Sequence, residues 1–141
     1  GCEHVIDYTR ESFVERVREI TDGKGVPAVY DSVGKDTFEG SLDCLAPTGV
    51  LVSFGQSSGP VPPFDIVKLS TKGSLYVTRP TLATFIARRE DLVEGANDLF
   101  EAVLSGAVRI EVGQTYRLQD AVQAHEDLEN RRTTGSTVLI P

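Results

Sequence analysis

At 141 residues, 15.3 kDa and 40% apolar content, the chain is long enough for one domain with a real core and strained for two. Fourteen Lys plus Arg stand against 21 Asp plus Glu, a formal charge of -7 with no basic run, which argues against an electrostatic nucleic-acid or anionic-membrane surface. No apolar run approaches the roughly 20 residues of a membrane-spanning helix, and no signal-peptide pattern opens the chain, so the expected setting is soluble and cytoplasmic.

His4-Val5-Ile6-Asp7-Tyr8 is β-prone, and Thr9-Arg10-Glu11-Ser12 offers a helix start. The helix that follows has Phe13, Val14, Val17 and Ile20 on one stripe and ends at Asp22-Gly23-Lys24-Gly25. Residues 26–30 read as a strand, with Asp31-Ser32-Val33-Gly34 at its carboxyl end, and Asp36 with Glu39 offers a helix cap. Phe38, Leu42 and Leu45 repeat at helical spacing until Pro47 and Gly49 stop them. Residues 50–54 are nearly all apolar, as in a strand buried on both faces of a parallel sheet, and Phe54-Gly55-Gln56-Ser57-Ser58-Gly59 leaves its carboxyl end. The order β-α-β-α-β implies a parallel sheet.

Residues 60–64 are too proline-rich for a helix or central strand and read as a connecting arm, with a short helix at residues 65–69 ended by Gly73. Ser74-Leu75-Tyr76-Val77-Thr78 is a β-prone run expected at the sheet edge, closed by Arg79-Pro80. From Thr81 the pattern is helical, and Leu92, Ala96, Leu99, Phe100, Val103 and Leu104 make one amphipathic helix before Gly106. Val108, Ile110 and Val112 alternate with Arg109 and Glu111, which suits a strand exposed on one face. Asp120 caps a last helix carrying Ala121, Ala124, His125 and Leu128, and Ser136-Thr137-Val138-Leu139-Ile140 forms a terminal strand.

Parallel sheets bind ligands at strand carboxyl ends, which makes Asp31-Ser32-Val33-Gly34 and residues 54–57 candidate binding loops; each is also readable as an ordinary strand-to-helix turn. Neither GxGxxG nor GxxxxGK[ST] occurs, and Gly23-Lys24-Gly25 ends a helix rather than opening one. His4, His125, Cys2 and Cys44 lack ligand spacing for zinc, no GxSxG elbow supports a hydrolase, and the two cysteines are expected as reduced thiols. Arg131-Arg132 reads either as a helix C-terminal pair or as a partner for a cofactor phosphate. The chain contains no Met and starts Gly1-Cys2-Glu3, from which a fragment of a longer protein is expected.

At Val29-Tyr30-Asp31-Ser32-Val33-Gly34, Ser41-Leu42-Asp43-Cys44-Leu45, Val52-Ser53-Phe54-Gly55-Gln56-Ser57-Ser58-Gly59, Lys72-Gly73-Ser74-Leu75-Tyr76-Val77-Thr78-Arg79-Pro80 and Gly135-Ser136-Thr137-Val138-Leu139-Ile140-Pro141, the chain resembles a known family. That family is the zinc-independent NADPH:quinone oxidoreductases, the zeta-crystallin-like branch of the medium-chain dehydrogenase/reductase superfamily. The resemblance runs in collinear order over essentially the whole chain.

It implies an α/β fold: a partial Rossmann-type parallel sheet with flanking helices, joined at Gly1 to Tyr8 as the third family strand. Residues 1–105 would be the C-terminal part of the cofactor domain, and residues 106–141 would return to a GroES-like catalytic domain that is otherwise missing. The implied cofactor is NADPH. Tyr8 would lie near the adenosine phosphate, Ser32 and Val33 beside adenine, Phe54, Gly55, Gln56 and Ser57 along the nicotinamide ribose, Tyr76, Val77 and Thr78 at the carboxamide, and Arg131 near the pyrophosphate. No catalytic residue and no metal ligand is implied within these residues, and the chain alone would be inactive. The strand Ser74-Leu75-Tyr76-Val77-Thr78 would join two subunits into a homodimer, as an unpaired edge allows. The implied reaction passes hydride to a quinone or related acceptor. Alternatives are an alkenal or enone reductase of the same superfamily and a non-catalytic nucleotide-binding or crystallin-like structural protein. A flavodoxin-like or receiver domain is disfavoured, since no phosphate loop and no acidic cluster follow the first strand.

Overall fold

A computed structural model of the chain describes residues 2–141, which divide into two compact units, the first ending at Thr84 and the second spanning Phe85–Pro141. In the first, helix α1 (Phe13–Ile20) opens at Ser12, whose hydroxyl accepts the Glu15 amide at 3.3 Å. Strand β1 (Val26–Asp31), helix α2 (Phe38–Asp43), strand β2 (Leu45–Ser53), helix α3 (Val67–Thr71) and strand β3 (Tyr76–Thr78) follow. The strands form a parallel sheet in the order β1-β2-β3, so β3 is an edge.

Register explains the core. Val29, Leu51 and Val77 stand side by side and point to one face, where Phe38, Leu42, Leu45 and Leu75 close over Leu51, which is completely buried. Phe64 stacks on Phe38 at 4.9 Å between ring centroids. The alternate residues Tyr30, Val52 and Thr78 share the opposite face. There Tyr30 is 74% exposed and Val52 only half-buried, so β2 is not buried equally on both faces as its apolar run suggested.

Three further expectations shift. Val5 is 83% exposed, and His4-Val5-Ile6-Asp7-Tyr8 forms no strand, because Asp7 turns the chain: its carboxylate takes the Thr9 amide at 3.1 Å and its carbonyl the Arg10 amide at 2.9 Å. Gly1, the first residue of the implied third strand, lies outside the described residues. Thr37 rather than Asp36 occupies the cap position of α2, and its hydroxyl is committed to Asp31 instead of the helix amides. Pro47 and Gly49 lie within β2, where the pairing jumps from Val26↔Leu45 to Ala28↔Val50 and the Thr48 amide bonds the Gly73 carbonyl at 2.7 Å.

The second unit holds helix α5 (Arg89–Leu104), preceded by the short helix α4 (Leu82–Phe85) at the unit boundary, strand β4 (Val112–Arg117), helix α6 (Ala121–Glu129) and strand β5 (Ser136–Ile140). Strands β4 and β5 pair in parallel. The strand expected from the alternation at residues 108–112 begins only at Val112, because the Val108 amide is held by the Ala102 carbonyl at 3.0 Å and the ladder opens where Ser136 donates to Glu111 at 2.7 Å. Asp120 precedes α6 without a side-chain cap, since residues 118–120 make a 3-10 turn into the helix. No helix among the described residues is long and apolar enough to cross a membrane.

Candidate functional site

Strands β1 and β2 end in register at Asp31 and Ser53, and their outgoing loops lie against each other. The Asp31 carbonyl accepts the Phe54 amide at 2.9 Å and the Gly55 amide at 3.3 Å, the Ser32 carbonyl accepts Ser57 at 3.2 Å, and the Val33 carbonyl accepts Ser58 at 2.9 Å. The Ser58 hydroxyl adds a bond to the Val33 carbonyl at 2.8 Å. The approach is so close that a Cβ on Gly55 would sit 2.4 Å from the Ser32 carbonyl oxygen, which glycine alone avoids. Gly34, at φ +87, meets the Gly59 carbonyl in the same way, with a Cβ there 2.8 Å from the oxygen. The two loops thus make one continuous edge.

Beneath that edge Asp31 is only 4% exposed. Its Oδ1 accepts the Val33 amide at 2.8 Å and the Gly34 amide at 3.0 Å, and its Oδ2 accepts the Ser41 hydroxyl at 2.8 Å. The Thr37 hydroxyl spans both oxygens at 2.9 and 2.8 Å. Burial pushes the carboxyl up, but the bonds from Gly34, Ser41, Thr37 and Val33 outweigh it and hold Asp31 below the ordinary carboxylate value. Asp31 is therefore a buried anion with its acceptor sites filled.

Two clefts open along this edge. One, of about 240 Å³, is lined by Tyr8, Ser32 and Val33 together with Ile6, Asp31 and Ser41. The other, of about 510 Å³, is lined by Gly55, Gln56 and Val77 together with Phe38, Phe64 and Arg79. Of the remaining expected residues, Phe54 is half exposed above the β2 end and Ser57 is in the loop stitched to Ser32. Tyr76 and Thr78 project from β3 on the face opposite Val77. Arg131 belongs to the second unit, exposed just past α6 at φ +56, while its neighbour Arg132 is paired with Asp127 at 3.3 Å. A third cleft, about 870 Å³, lies at the carboxyl ends of β4 and β5 in the second unit and is lined by none of the expected residues.

Reading the sequence missed the Asp31-Thr37-Ser41 cluster and the place of Arg79 in a cleft. A signal for the cluster existed: an acidic residue at a strand end followed by hydroxyl residues six and ten positions on. Both cysteines are free; Cys44 is buried in the core, which pushes its thiol up and leaves it a poor nucleophile.

Residues 1–139 match the family model of the zinc-binding dehydrogenases, and the chain belongs to that family. Among relatives, it is 54% identical over 143 residues to the quinone oxidoreductase of Salmonella typhimurium, covering 100% of this chain and 44% of that protein. It is 46% identical to the 2-haloacrylate reductase of a Burkholderia species, again over 100% of this chain and 43% of the relative. The crystal structure of Escherichia coli quinone oxidoreductase complexed with NADPH matches at a TM-score of 0.95 and 53% identity, covering 100% of this chain and 44% of that one. The chain thus spans less than half the length of these relatives, and its parallel α/β fold is that of their Rossmann-like half. The resemblance to quinone oxidoreductases read from its motifs holds. The zinc that the family description implies does not fit the described residues, which contain no group of three His, Cys, Asp or Glu able to hold a metal ion.

Proposed function

We propose that this chain is the cofactor-side portion of an NADPH:quinone oxidoreductase. In this reading residues 1–105 belong to the Rossmann cofactor domain and residues 106–141 to the end of a catalytic domain. The observation that carries it is the stitched edge at the ends of β1 and β2, where glycines let two backbones approach and clefts collect Tyr8, Ser32, Val33, Gly55, Gln56 and Val77. The 53% identical structure complexed with NADPH supports the choice of cofactor.

Tyr8, Ser32 and Val33 take the adenosine end, residues 54–57 flank the nicotinamide ribose, the backbone of residues 76–78 meets the carboxamide, and Arg131 neutralises a phosphate. Bound NADPH supplies the hydride; the residues of this chain orient its carrier and keep water from its face. Alone the chain is inactive. The acceptor is a quinone, and the protein works in the cytoplasm as a homodimer joined through the edge strand β3, with no nucleic-acid or membrane partner.

A second acceptor class, electron-poor alkenes bearing an oxygen anion, is favoured by one feature. Among the described residues, the Arg79 guanidinium lining the larger cleft bonds the Pro80 carbonyl alone, at 3.5 Å, and no carboxylate lines that cleft. The 46% identical relative is a 2-haloacrylate reductase.

Titration of the chain with NADPH and, separately, NADH, followed by nucleotide fluorescence at low salt, tests the cofactor assignment. Saturable binding of NADPH that weakens about three- to tenfold in Tyr8→Phe and Arg131→Gln is the expected result. An absence of binding by the unaltered chain overturns the assignment of these residues as a self-sufficient cofactor edge.

A further inference from the structure

We infer that Asp31 is a positioning residue whose buried carboxylate holds the two strand-end loops in one preformed cofactor edge, coupling the adenosine-side contacts to the nicotinamide-side contacts. This rests on the cofactor reading above. The carboxylate fixes the first loop from inside: its oxygens take the amides of Val33 and Gly34 at 2.8 and 3.0 Å and the α2 hydroxyls of Thr37 and Ser41. With those amides turned inward, the carbonyls of Ser32 and Val33 face the other way and receive the amides of Ser57 and Ser58 at 3.2 and 2.9 Å. The main chain of Asp31 completes the link by accepting Phe54 and Gly55. One residue thereby sets the conformation of the loop that would hold adenine and, through backbone bonds, of the loop that would flank the nicotinamide ribose.

The same geometry sorts the groups a ligand can place there. Asp31, Thr37 and Ser41 line the 240 Å³ cleft with Tyr8, Ser32 and Val33. A carboxylate whose lone pairs are occupied offers no bond to an incoming group, and its charge repels a phosphate. The cleft therefore takes the neutral base, and the phosphates stay outside it.

The test separates local, coupled and global effects. The ¹⁵N-labelled chain is titrated with NADPH, with 2′,5′-ADP as the adenosine half, and with reduced nicotinamide mononucleotide as the other half. Amides of Ser32, Val33, Gly55 and Gln56 report binding, and methyls of Leu42 and Leu51 report the core. In Asp31→Ala, affinity for both halves falls about tenfold while the core methyls keep their positions. Thr37→Val weakens both halves and Thr37→Ser restores them, which keeps the outcome readable if Asp31→Ala disturbs the core. Loss confined to 2′,5′-ADP, or unchanged affinity in Asp31→Ala and Thr37→Val, overturns the coupling while leaving the cofactor reading intact. No perturbation by NADPH in the unaltered chain overturns the cofactor reading and this inference with it.

Discussion

Asp31 and Gly55 show how two side-chain choices shape the candidate edge. Removing a buried carboxylate leaves its donors aimed at nothing, and each unsatisfied donor carries a desolvation penalty. Asp31→Ala should therefore destabilise the first unit by about 3 kcal/mol in urea unfolding. The isosteric Asp31→Asn, which keeps an oxygen for the Val33 and Gly34 amides, should cost less. Because the folded carboxyl is held below its ordinary value of 3.8, its stabilisation is fully present above that pH and is lost as pH falls through the folded value. The unfolding free energies of the unaltered chain and Asp31→Asn should converge as pH drops below about 4, and a gap that stays constant there would contradict the assignment of an ionised Asp31. At Gly55 a methyl has nowhere to go, with the Ser32 carbonyl oxygen 2.4 Å from a Cβ. Gly55→Ala should cost about 1–3 kcal/mol in the same measurement and separate the two loops, visible as faster exchange of the Ser57 and Ser58 amides.

Among the elements, β2 organises the first unit because it pairs on both sides and sends Leu45 and Leu51 into the core. Leu51 is completely buried, and Leu51→Ala should cost about 2–5 kcal/mol by the transfer and cavity terms together. Strand β3 contributes three residues and leaves one edge unpaired. If that edge joins two copies, sedimentation velocity should show a concentration-dependent dimer that Tyr76→Lys suppresses, since a charged edge discourages strand addition. Tyr76 is 64% exposed, so this substitution leaves the core untouched. A monomer at every concentration would remove the dimer assignment.

On the scale of the whole molecule, buried apolar side chains are concentrated in one unit. Among the described residues, Phe38, Leu42, Cys44, Leu45, Leu51 and Leu75 are buried in the first, whereas Ala124 alone is buried in the second. A parallel pair of strands with one helix against it has little apolar area to offset its ordering entropy. Limited proteolysis should therefore cut the second unit first, within residues 107–111 between helix α5 and strand β4, and leave a resistant fragment containing α1 to β3, as mass spectrometry would record. Equal resistance of both units would mean that the second is stabilised by contacts beyond its own sheet.

The sequence by itself determined the order of elements from α1 onward and pointed to the candidate edge. Both depend on local rules: apolar runs make Val26–Asp31 and the end of β2 strands, Ser12 starts α1, and Gly55 and Gly34 mark where backbones must approach. It also carried the family, because the quoted motifs lie in collinear order along the chain. Only the tertiary structure decided what depends on a partner far along the chain. A strand exists only where another strand faces it, so residues 108–111 and His4-Val5-Ile6-Asp7-Tyr8 formed no strand despite their β-prone composition, while Val112–Arg117, with Gly and Gln in it, became a strand opposite Ser136–Ile140. Likewise the Thr37 hydroxyl, at the cap position expected of Asp36, bonds Asp31 six residues back rather than the helix amides, because burying that carboxylate demanded more donors than its own loop supplies.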